Sequence, residues 1–420
     1  MSGILRQVEA DDPVLTAAVS LDASTLRDAE SIVADVRSRG VEALREQALR
    51  WGDLERADQA LVRSRAELEQ ALQALETSQR ELLERTAARI RRFAEAQRAC
   101  LSELDVEVCA GRAGHSIAPV ESAGCYAPGG RYPLPSSVLM TAVTARAAGV
   151  ERVWVASPRP AAITLAAAAV AGADALLCVG GAQAIAALAF GAGPVPACDV
   201  VVGPGNRWVT AAKKIVAGHV GIDMLAGPSE LVVLADHTAD AATVASDLLA
   251  QAEHDPDARP ILVTTHAPII AAVRTQLERQ LEDLPTRATA RAALERGGCA
   301  VWVGSPGEAC AVVNRIAPEH LELHVADDRD LLAELSHYGG LFRGAAAAEV
   351  FGDYGAGPNH VLPTAGSARY VGGLSVFHFL RIRTWLSIDA NDCRELASDA
   401  AALARLEGLE GHARSAERRS

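Results

Sequence analysis

The sequence predicts an α/β protein with two Rossmann-like parallel-sheet domains, preceded by N-terminal helices and followed by a helical C-terminal tail. Three observations support this fold class. From about residue 120, short apolar runs that end in glycine alternate with alanine-rich helical stretches. The same alternation then resumes in a second stretch of similar composition. Half of the 420 residues are hydrophobic but only 4% are aromatic, which suits helices packed on buried parallel strands.

Residues 1–119 are predicted to form an N-terminal helical segment that packs partly on the second α/β unit. The helix in STLRDAESIVADVRSRG begins with a Ser24/Thr25 cap and ends at Gly40. The stretch 65–99 is long, charged and heptad-like. It suits either a coiled coil or a helix that lies across a domain surface.

Residues 120–229 are predicted to form the first Rossmann-like domain, with strands in ESAGCYAPGG, RVWVAS, ALLCVGG and DVVVGPG. Residues 230–373 form the second, with strands in ELVVLAD, ARPILVTTH, CAVWVGS, HLELHVA and GGLFRG. Residues 374–420 return to helix and form the tail. Ligands in open α/β sheets bind outside the carboxyl ends of the strands, so the glycine-rich loops there are the first candidates.

Composition excludes several classes of function. The chain has 40 basic and 53 acidic residues, a net charge of −13, and so lacks the basic footprint of a nucleic-acid binder. None of its eight cysteines forms a CxxC pair, which argues against zinc-finger and thioredoxin sites. The N-terminus has no secretory apolar region, and Gly and Asp interrupt the longest apolar run. We therefore expect reduced thiols, a cytoplasmic location and no membrane span.

Three glycine-rich loops follow predicted strands: YAPGG (126–130), VGGAQA (179–184) and VVGPGNRW (201–208). Glycine lets backbone N–H groups approach a ligand, and a following helix N-terminus favours phosphate. None of the loops is a GxGxxG fingerprint with an acidic residue about 20 positions later. Each alone also suits a tight turn, but three together favour a dinucleotide bound in an unusual way.

Two pairs of polar residues are candidates for chemistry. Gln251 and His254 lie three apart near the end of the helix in DLLAQAEHDP, so both side chains share one face. Glu319 and His320 stand together at the start of the strand in APEHLELHV. An acid beside an imidazole can provide two proton-transferring groups with different pKa values, although such a pair also suits a charged strand entry.

Further polar side chains lie in two other segments. FGDYGAGPNHVLPT (351–364) is predicted to be an ordered loop, and it carries Asp353, Asn359 and His360. LEGLEGHARS carries Glu407 and His412 in the final helical segment. Histidine and carboxylate groups are zinc ligands, but with 11 histidines the spacing leaves open which of them converge.

Taken together, these motifs resemble the histidinol dehydrogenase family. The matching strings are YAPGG, SSVLM, GGAQAIAALAFG, VVGPGN, GIDMLAGPSELVVLAD, ASDLLAQAEHDP, APEHLEL, GDYGAGPNHVLPT and GLSV, in family order over about residues 120–380. The resemblance implies oxidation of L-histidinol to L-histidine through L-histidinaldehyde, the last steps of histidine biosynthesis. It implies Zn²⁺ and two NAD as cofactors. It also implies an intertwined homodimer in which the tail of one subunit completes the partner's site.

The resemblance assigns roles to individual residues. Glu319 would activate water, and His320 would be the general base. The zinc ligands would be Gln251, His254, Asp353 and His412. The NAD site would be lined by Tyr126, Gln183 and Asn206. The substrate would contact the zinc ligands, His320 and three further residues: Ser229, His360 and Glu407.

Some positions depart from the family pattern. Cys125 and Arg131 stand where many members are apolar or small, and an acidic residue common near His378 is missing. Arg381, Arg383 and Trp385 are also unusual. An added arginine near the pocket would suit an anionic substrate, whereas Glu407 suits an amine. Three alternatives therefore stay open: a related dehydrogenase of another small alcohol such as sulfopropanediol, a zinc hydrolase that does not use NAD, and an inactive scaffold.

Overall fold

The computed structural model describes residues 3–16, 21–129, 132–389 and 392–419. Its strands, in chain order, are β1 (Arg6–Val8), β2 (Val62–Ser64), β3 (Leu104–Val108), β4 (Gly111–Pro119), β5 (Ser122–Tyr126), β6 (Arg152–Ala156), β7 (Ala175–Leu177), β8 (Val200–Val202), β9 (Gly221–Ile222), β10 (Glu230–Ala235), β11 (Arg259–Thr264), β12 (Cys299–Trp302), β13 (His320–His324), β14 (Gly340–Arg343) and β15 (Leu380–Ile388).

The α-helices are α1 (Ala23–Arg39), α2 (Val41–Arg50), α3 (Arg65–Gln73), α4 (Thr77–Ala99), α5 (Pro135–Ala148), α6 (Ala162–Val170), α7 (Gly181–Phe190), α8 (Arg207–Val216), α9 (Ala241–Ala252), α10 (Pro268–Leu281), α11 (Arg287–Arg296), α12 (Pro306–Ile316), α13 (Arg329–Glu334), α14 (Glu349–Asp353), α15 (Arg394–Leu406) and α16 (Glu410–Glu417).

Two six-stranded sheets confirm the predicted α/β fold. The first has the order β2-β7-β6-β5-β8-β9 and is parallel except for β2, which runs antiparallel to β7 at one side. Helices α1, α2, α7 and α8 contribute to the apolar core on one face. Helices α3 to α6 contribute to the core on the other. Strands covered on both faces must be apolar throughout, which explains runs such as VVV in β8.

The second sheet has the order β1-β12-β11-β10-β13-β14, and all of its pairings are parallel. This sheet has an apolar core on each face, and successive residues of β10 point to opposite faces. Leu231 and Val233 pack with α9, α10 and α11, whereas Val232 and Leu234 pack with α12 and α13. The N-terminal segment is divided between the units. Strand β1 joins the second sheet, and helices α1 to α4 pack on the first.

A third, antiparallel sheet with the order β15-β4-β3 corrects two expectations. The N-terminal segment ends in two strands, so it is not helical throughout, and the tail is helical only from Arg394. The expected helix from residue 374 is wrong for β15. Its sequence, LRIRTWLSI, is rich in β-branched and aromatic residues that favour an extended backbone.

The predicted N-terminal helices are present with changed boundaries. Helix α1 ends at Gly40 as predicted, but its cap is Asp22, whose carboxylate accepts a 2.8 Å hydrogen bond from the N–H of Thr25. The predicted single helix over 65–99 is wrong, because Glu76 has an extended ψ of 142° and separates α3 from α4. Helix α4 lies across α5, as a surface helix would.

Helices α15 and α16 of the tail pack on each other through Ala401, Ala404 and Ala413. Leucines on the same pair of helices are exposed, including Leu406, with 86% of its surface accessible. Across the described ranges, the structure has no helix that is both long enough and apolar enough to span a bilayer.

Candidate active site

A cavity of about 320 Å³ lies between the two α/β units. The first unit lines it with residues that follow strands, such as Pro128 after β5 and Pro204 after β8. The second unit lines it with residues at strand starts, such as Ser229 before β10 and Glu319 before β13. The carboxyl ends of the strands in the first sheet therefore face the amino ends of the strands in the second. Only the first unit follows the rule that ligands bind outside the carboxyl ends of the strands.

The turn after β8 requires glycine. Gly203 has a φ of 117°, and a Cβ at this position would lie 2.0 Å from the carbonyl oxygen of Tyr126. Buried Asp223 accepts a 2.7 Å hydrogen bond from the N–H of Gly203. Lys213, which forms an ion pair with Asp223, donates a 3.0 Å bond to the Gly203 carbonyl. The VVGPGN loop is thereby fixed beside β5.

Glu319 lines the cavity, and two hydrogen bonds hold its carboxylate in place. Its Oε2 accepts one from the hydroxyl of Ser229, at 2.6 Å, and one from the N–H of Glu230, at 3.0 Å. Burial nevertheless raises the pKa of this carboxyl well above its usual range, because the two hydrogen bonds only partly oppose the loss of hydration. A carboxyl with a raised pKa is suited to proton transfer near neutral pH.

His320 is buried next to Glu319. Its Nδ1 lies 3.2 Å from the carbonyl oxygen of Glu230. This contact assigns the proton to Nδ1 and leaves the lone pair of Nε2 free to accept a proton. Burial lowers the pKa of His320 to about 4, although the nearby Asp353 opposes the shift. The imidazole is therefore neutral, as a general base must be.

His254 and Asp353, which line the cavity, form a group of potential metal ligands with Glu349. The Nε2 of His254 lies 3.5 Å from Oδ2 of Asp353 and 3.8 Å from Oε1 of Glu349. Gln251 is fully buried, and neither atom of its amide has a hydrogen-bond partner among the described residues. Buried amides are normally paired, so an unpartnered one indicates a binding site for a ligand. Imidazole nitrogen with carboxylate and amide oxygens is a donor set that fits zinc.

Two features of this cluster differ from expectation. Asp353 is the last residue of the short helix α14, so the prediction that 351–364 contains no helix is wrong at its start. Glu349, the first residue of α14, is a potential ligand that the sequence analysis did not identify. It is 2% exposed, and its Oε1 also lies 3.6 Å from Nδ1 of His320. It lies outside the recognised GDYGAGPNH string, and nothing in EVFGDY distinguished it from a helical surface glutamate.

His360 and Asn359 connect this cluster to the first unit. His360 Nδ1 lies 3.1 Å from the carbonyl oxygen of Asp353, and its Nε2 lies 3.4 Å from the hydroxyl of Ser137 in α5. Asn359 donates a 2.8 Å hydrogen bond to the carbonyl of Met140 in the same helix. The loop after α14 is therefore ordered by α5.

The structure does not bring Glu407 and His412 of the same chain to this cavity. Both lie in the exposed helical tail, and neither belongs to the described lining of the cavity or to the metal-ligand group. Of the unusual arginines, Arg381 donates a 2.7 Å bond to the carbonyl of Pro119 on β4. Arg131 lies outside the described residues.

A second cavity, of about 270 Å³, brings together the three residues predicted for NAD: Tyr126, Gln183 and Asn206. The hydroxyl of Tyr126 accepts a 3.1 Å hydrogen bond from the N–H of Gly181 at the start of α7. The side-chain oxygen of Asn206 accepts bonds from the N–H groups of Trp208 and Val209, and so caps α8. Both helix starts are thus held by side chains from the cavity wall.

The same cavity has a wall that the sequence analysis missed. Asp53, from the loop after α2, accepts a 2.9 Å hydrogen bond from the N–H of Gly180 and lies 3.5 Å from the amide of Gln183. Trp51 and Arg159 also line this cavity. Asp53 lies 127 positions before Gly180 in the chain, so local spacing gives no sign that the two residues are in contact.

Comparison with known proteins shows the family of this chain. A model of the histidinol dehydrogenase family matches residues 17–420. The chain belongs to the histidinol dehydrogenase family. The histidinol dehydrogenase of Pseudomonas aeruginosa is 45% identical over 396 residues, which cover 92% of this chain and 89% of that protein. That of Thermus thermophilus is 51% identical over 306 residues, 72% of this chain and 74% of the relative.

A solved structure supports the same conclusion. The crystal structure of histidinol dehydrogenase from Elizabethkingia anophelis superposes with a TM-score of 0.92 at 28% identity, covering 99% of this chain and 98% of that one. Membership of the histidinol dehydrogenase family makes the protein an oxidoreductase and is consistent with a role in histidine biosynthesis.

Proposed function

We propose that the protein oxidises L-histidinol to L-histidine through L-histidinaldehyde, with zinc and two molecules of NAD. The observation that carries this proposal is the lining of the catalytic cavity. Its described ionisable side chains are His254, Glu319, His320, Asp353, Tyr354 and His360, with no Lys or Arg among the described lining residues. Acidic groups favour a substrate that carries an amine over one that carries a sulfonate.

The zinc ligands of one chain would be Gln251, His254 and Asp353. Glu349 is close enough to His254 to contribute or to orient the imidazole. Zinc would supply a fixed template that orients the substrate's imidazole and amine groups. NAD in the second cavity, against Tyr126, Gln183 and Asn206, would supply the electron acceptor for each oxidation.

His320 removes the proton in the alcohol oxidation. An alcohol is oxidised to an aldehyde only as its hydroxyl proton leaves, so a neutral base must lie within hydrogen-bond reach. Because Nδ1 is directed at the carbonyl of Glu230, Nε2 accepts that proton. Burial keeps the imidazole neutral in the absence of substrate.

Glu319 acts in the oxidation of the aldehyde. Water must add to the carbonyl before a second oxidation can give the acid, and a carboxylate can deprotonate that water. Ser229 and the N–H of Glu230 hold the carboxylate in position through its Oε2. His360 and Ser229 complete the substrate-binding wall.

Glu407 and His412 would complete the site of a partner subunit in an intertwined homodimer. Two observations support this arrangement. The exposed helical tail does not reach the cavity of its own chain within the described lining. The tail and the adjoining strand β15 expose large apolar side chains, including Ile382, Leu386 and Leu406. Cys125, Cys178 and Cys299 form no disulfide in the described part of the chain, which agrees with a cytoplasmic location.

The test is product stoichiometry. Purified protein with Zn²⁺ and NAD should form two NADH per L-histidinol and release histidine. Turnover of a sulfonated diol such as sulfopropanediol, without turnover of histidinol, would replace the proposal with the related-dehydrogenase alternative. Absence of NADH with either alcohol, together with ester or amide cleavage, would favour a zinc hydrolase.

A further inference from the structure

The second cavity contains a carboxylate at a place where a dinucleotide-binding fold usually holds a phosphate. In open α/β domains, the start of a helix after a parallel strand binds the pyrophosphate through its N–H groups. Helix α7 follows β7 in this way, but protein side chains bind the N–H groups of its cap and its first residue. Asp53 accepts a 2.9 Å hydrogen bond from Gly180, and the hydroxyl of Tyr126 accepts one of 3.1 Å from Gly181. A phosphate at this helix start would have to displace Asp53.

Asp53 is buried but keeps one oxygen for a ligand. The residue is 8% exposed and lines the cavity. Its contacts with N–H groups of the described residues, from Gly180 and from the amide of Gln183, both use Oδ2, and so Oδ1 is available. Burial raises the pKa of Asp53, whereas the N–H of Gly180 and the charge of Arg159 oppose that rise, and the N-terminus of α7 favours the ionised form. Oδ1 can therefore accept hydrogen bonds from hydroxyl groups but repels a phosphate.

The two cavities adjoin, which indicates the direction of a bound dinucleotide. Consecutive residues of two loops line one cavity and then the other: Pro128 and Gly129 after β5, and Gly205 and Asn206 after β8. With NAD as the cofactor, its nicotinamide must reach the alcohol beside His320 and would therefore lie at these two loops. The rest of the dinucleotide would extend past β6 toward β7, which is two strands, or about 10 Å, from β5. The adenosine half would then lie against Asp53.

Arg159 is the one basic side chain among the described lining residues of this cavity, and it is exposed. In dinucleotide-binding folds an arginine near the adenosine ribose accommodates the 2′-phosphate of NADP, whereas an acid hydrogen-bonds the 2′-hydroxyl of NAD. Both residue types are present here, so their surroundings decide which of them dominates. Water and salt screen the exposed Arg159, whereas the buried carboxylate is screened much less. Asp53 therefore has the stronger influence on a ligand in this cavity.

We propose that Asp53 is a specificity-determining residue, which binds the hydroxyl groups of the adenosine ribose and selects NAD over NADP. This inference rests on the proposed function, in which NAD is the electron acceptor. NADP carries a phosphate on the 2′-hydroxyl of this ribose, and that phosphate would face Oδ1 of Asp53. A contact between like charges at a buried carboxylate disfavours NADP, and loss of the hydrogen bond from the hydroxyl adds to the difference.

The experiment measures dinucleotide binding and needs no turnover. The zinc-loaded full-length protein, without substrate, is titrated with NADH and with NADPH, and calorimetry gives each Kd. The wild type should bind NADH at least about tenfold more tightly than NADPH. Asp53→Asn removes the charge but keeps an oxygen for the N–H of Gly180, and should bring the two Kd values to within about threefold of each other. Asp58→Asn, at an aspartate of the same loop that forms an exposed ion pair with Arg56, is the matched control and should keep the wild-type ratio.

Each outcome decides the question. NADPH binding as tight as NADH binding in the wild type, or an unchanged ratio in Asp53→Asn, would overturn the inference and leave NAD as the electron acceptor. Binding of neither dinucleotide would refute the NAD part of the proposed function and this inference together. Thermal unfolding shows whether Asp53→Asn is folded. If it is not, the titrations are repeated with Asp53→Ser, whose hydroxyl can accept the same hydrogen bond from Gly180.

Discussion

The hydroxyl of Ser229 donates a 2.6 Å hydrogen bond to Oε2 of Glu319, and this bond joins the starts of β10 and β13. The two strands pair in parallel with Leu231 opposite His320. The register of the second sheet therefore places the serine of GPSE beside the glutamate of APEH, 90 positions later in the chain.

Glu319→Gln should impair the second oxidation more than the first. Glutamine keeps the shape of the side chain but cannot accept a proton from water, so aldehyde oxidation should fall by about 10² to 10⁴. Ser229→Ala should have a smaller effect in the same direction, because it removes only one of the bonds that hold the carboxylate. The amount of NADH formed per histidinol, measured with semicarbazide present to trap the aldehyde, separates the loss in the first oxidation from the loss in the second. Equal losses in both steps would contradict the assignment.

The two half-reactions should differ in their pH dependence. The pKa of Glu319 is raised by burial, so its base form increases with pH and aldehyde oxidation should rise with pH. Ser229→Ala removes a hydrogen bond that lowers this pKa, and should shift the rise to higher pH. His320, with its pKa lowered to about 4, remains a base at neutral pH. Single-turnover rates from pH 5 to 9 test this, and identical profiles in wild type and Ser229→Ala would contradict it.

His320→Ala should lose turnover without losing metal. Removing a general base costs about 10² to 10⁴ in rate, and the buried ring is not one of the proposed zinc ligands. His337→Ala, at a half-buried histidine bonded to the carbonyl of Asn314, is the control and should stay active. Steady-state kinetics and zinc content together decide the role. A fully active His320→Ala protein would exclude this histidine as the base.

Gln251→Leu should lower zinc affinity and stabilise the metal-free protein. Leucine replaces two buried polar atoms that have no hydrogen-bond partner in the described chain, and each such atom costs about 1 to 3 kcal/mol. Gln280→Leu is the control, because Gln280 donates a 3.0 Å bond to the carbonyl of Ala242. It should keep its zinc and lose stability. Denaturant unfolding of the metal-free proteins gives the sign of the change in the free energy of unfolding. Destabilisation of metal-free Gln251→Leu would show that the amide has hydrogen-bond partners without metal.

Two inactive variants should restore activity when mixed, if the tail acts on the partner. His320→Ala and His412→Ala subunits would form heterodimers with one intact and one doubly defective site, giving about a quarter of wild-type activity after random exchange. His320→Ala mixed with His254→Ala should stay inactive, since both residues lie in the body of the chain. Activity of refolded mixtures measures this. Failure of the first mixture, with dimer exchange verified, would place the tail in its own subunit's site.

The sequence by itself determined the fold class, the positions of most strands and the recognisable motifs. These depend on periodicity, glycine turns and helix-cap residues, which act over a few positions of chain. The tertiary structure alone decided that Asp53 lines the cavity with Gln183, that Glu349 approaches His254, and that Asp247 meets His324. It also decided that β15 pairs with β4, where helix was expected. Contacts between distant segments are set by the packing of whole sheets and helices, and local spacing does not encode them.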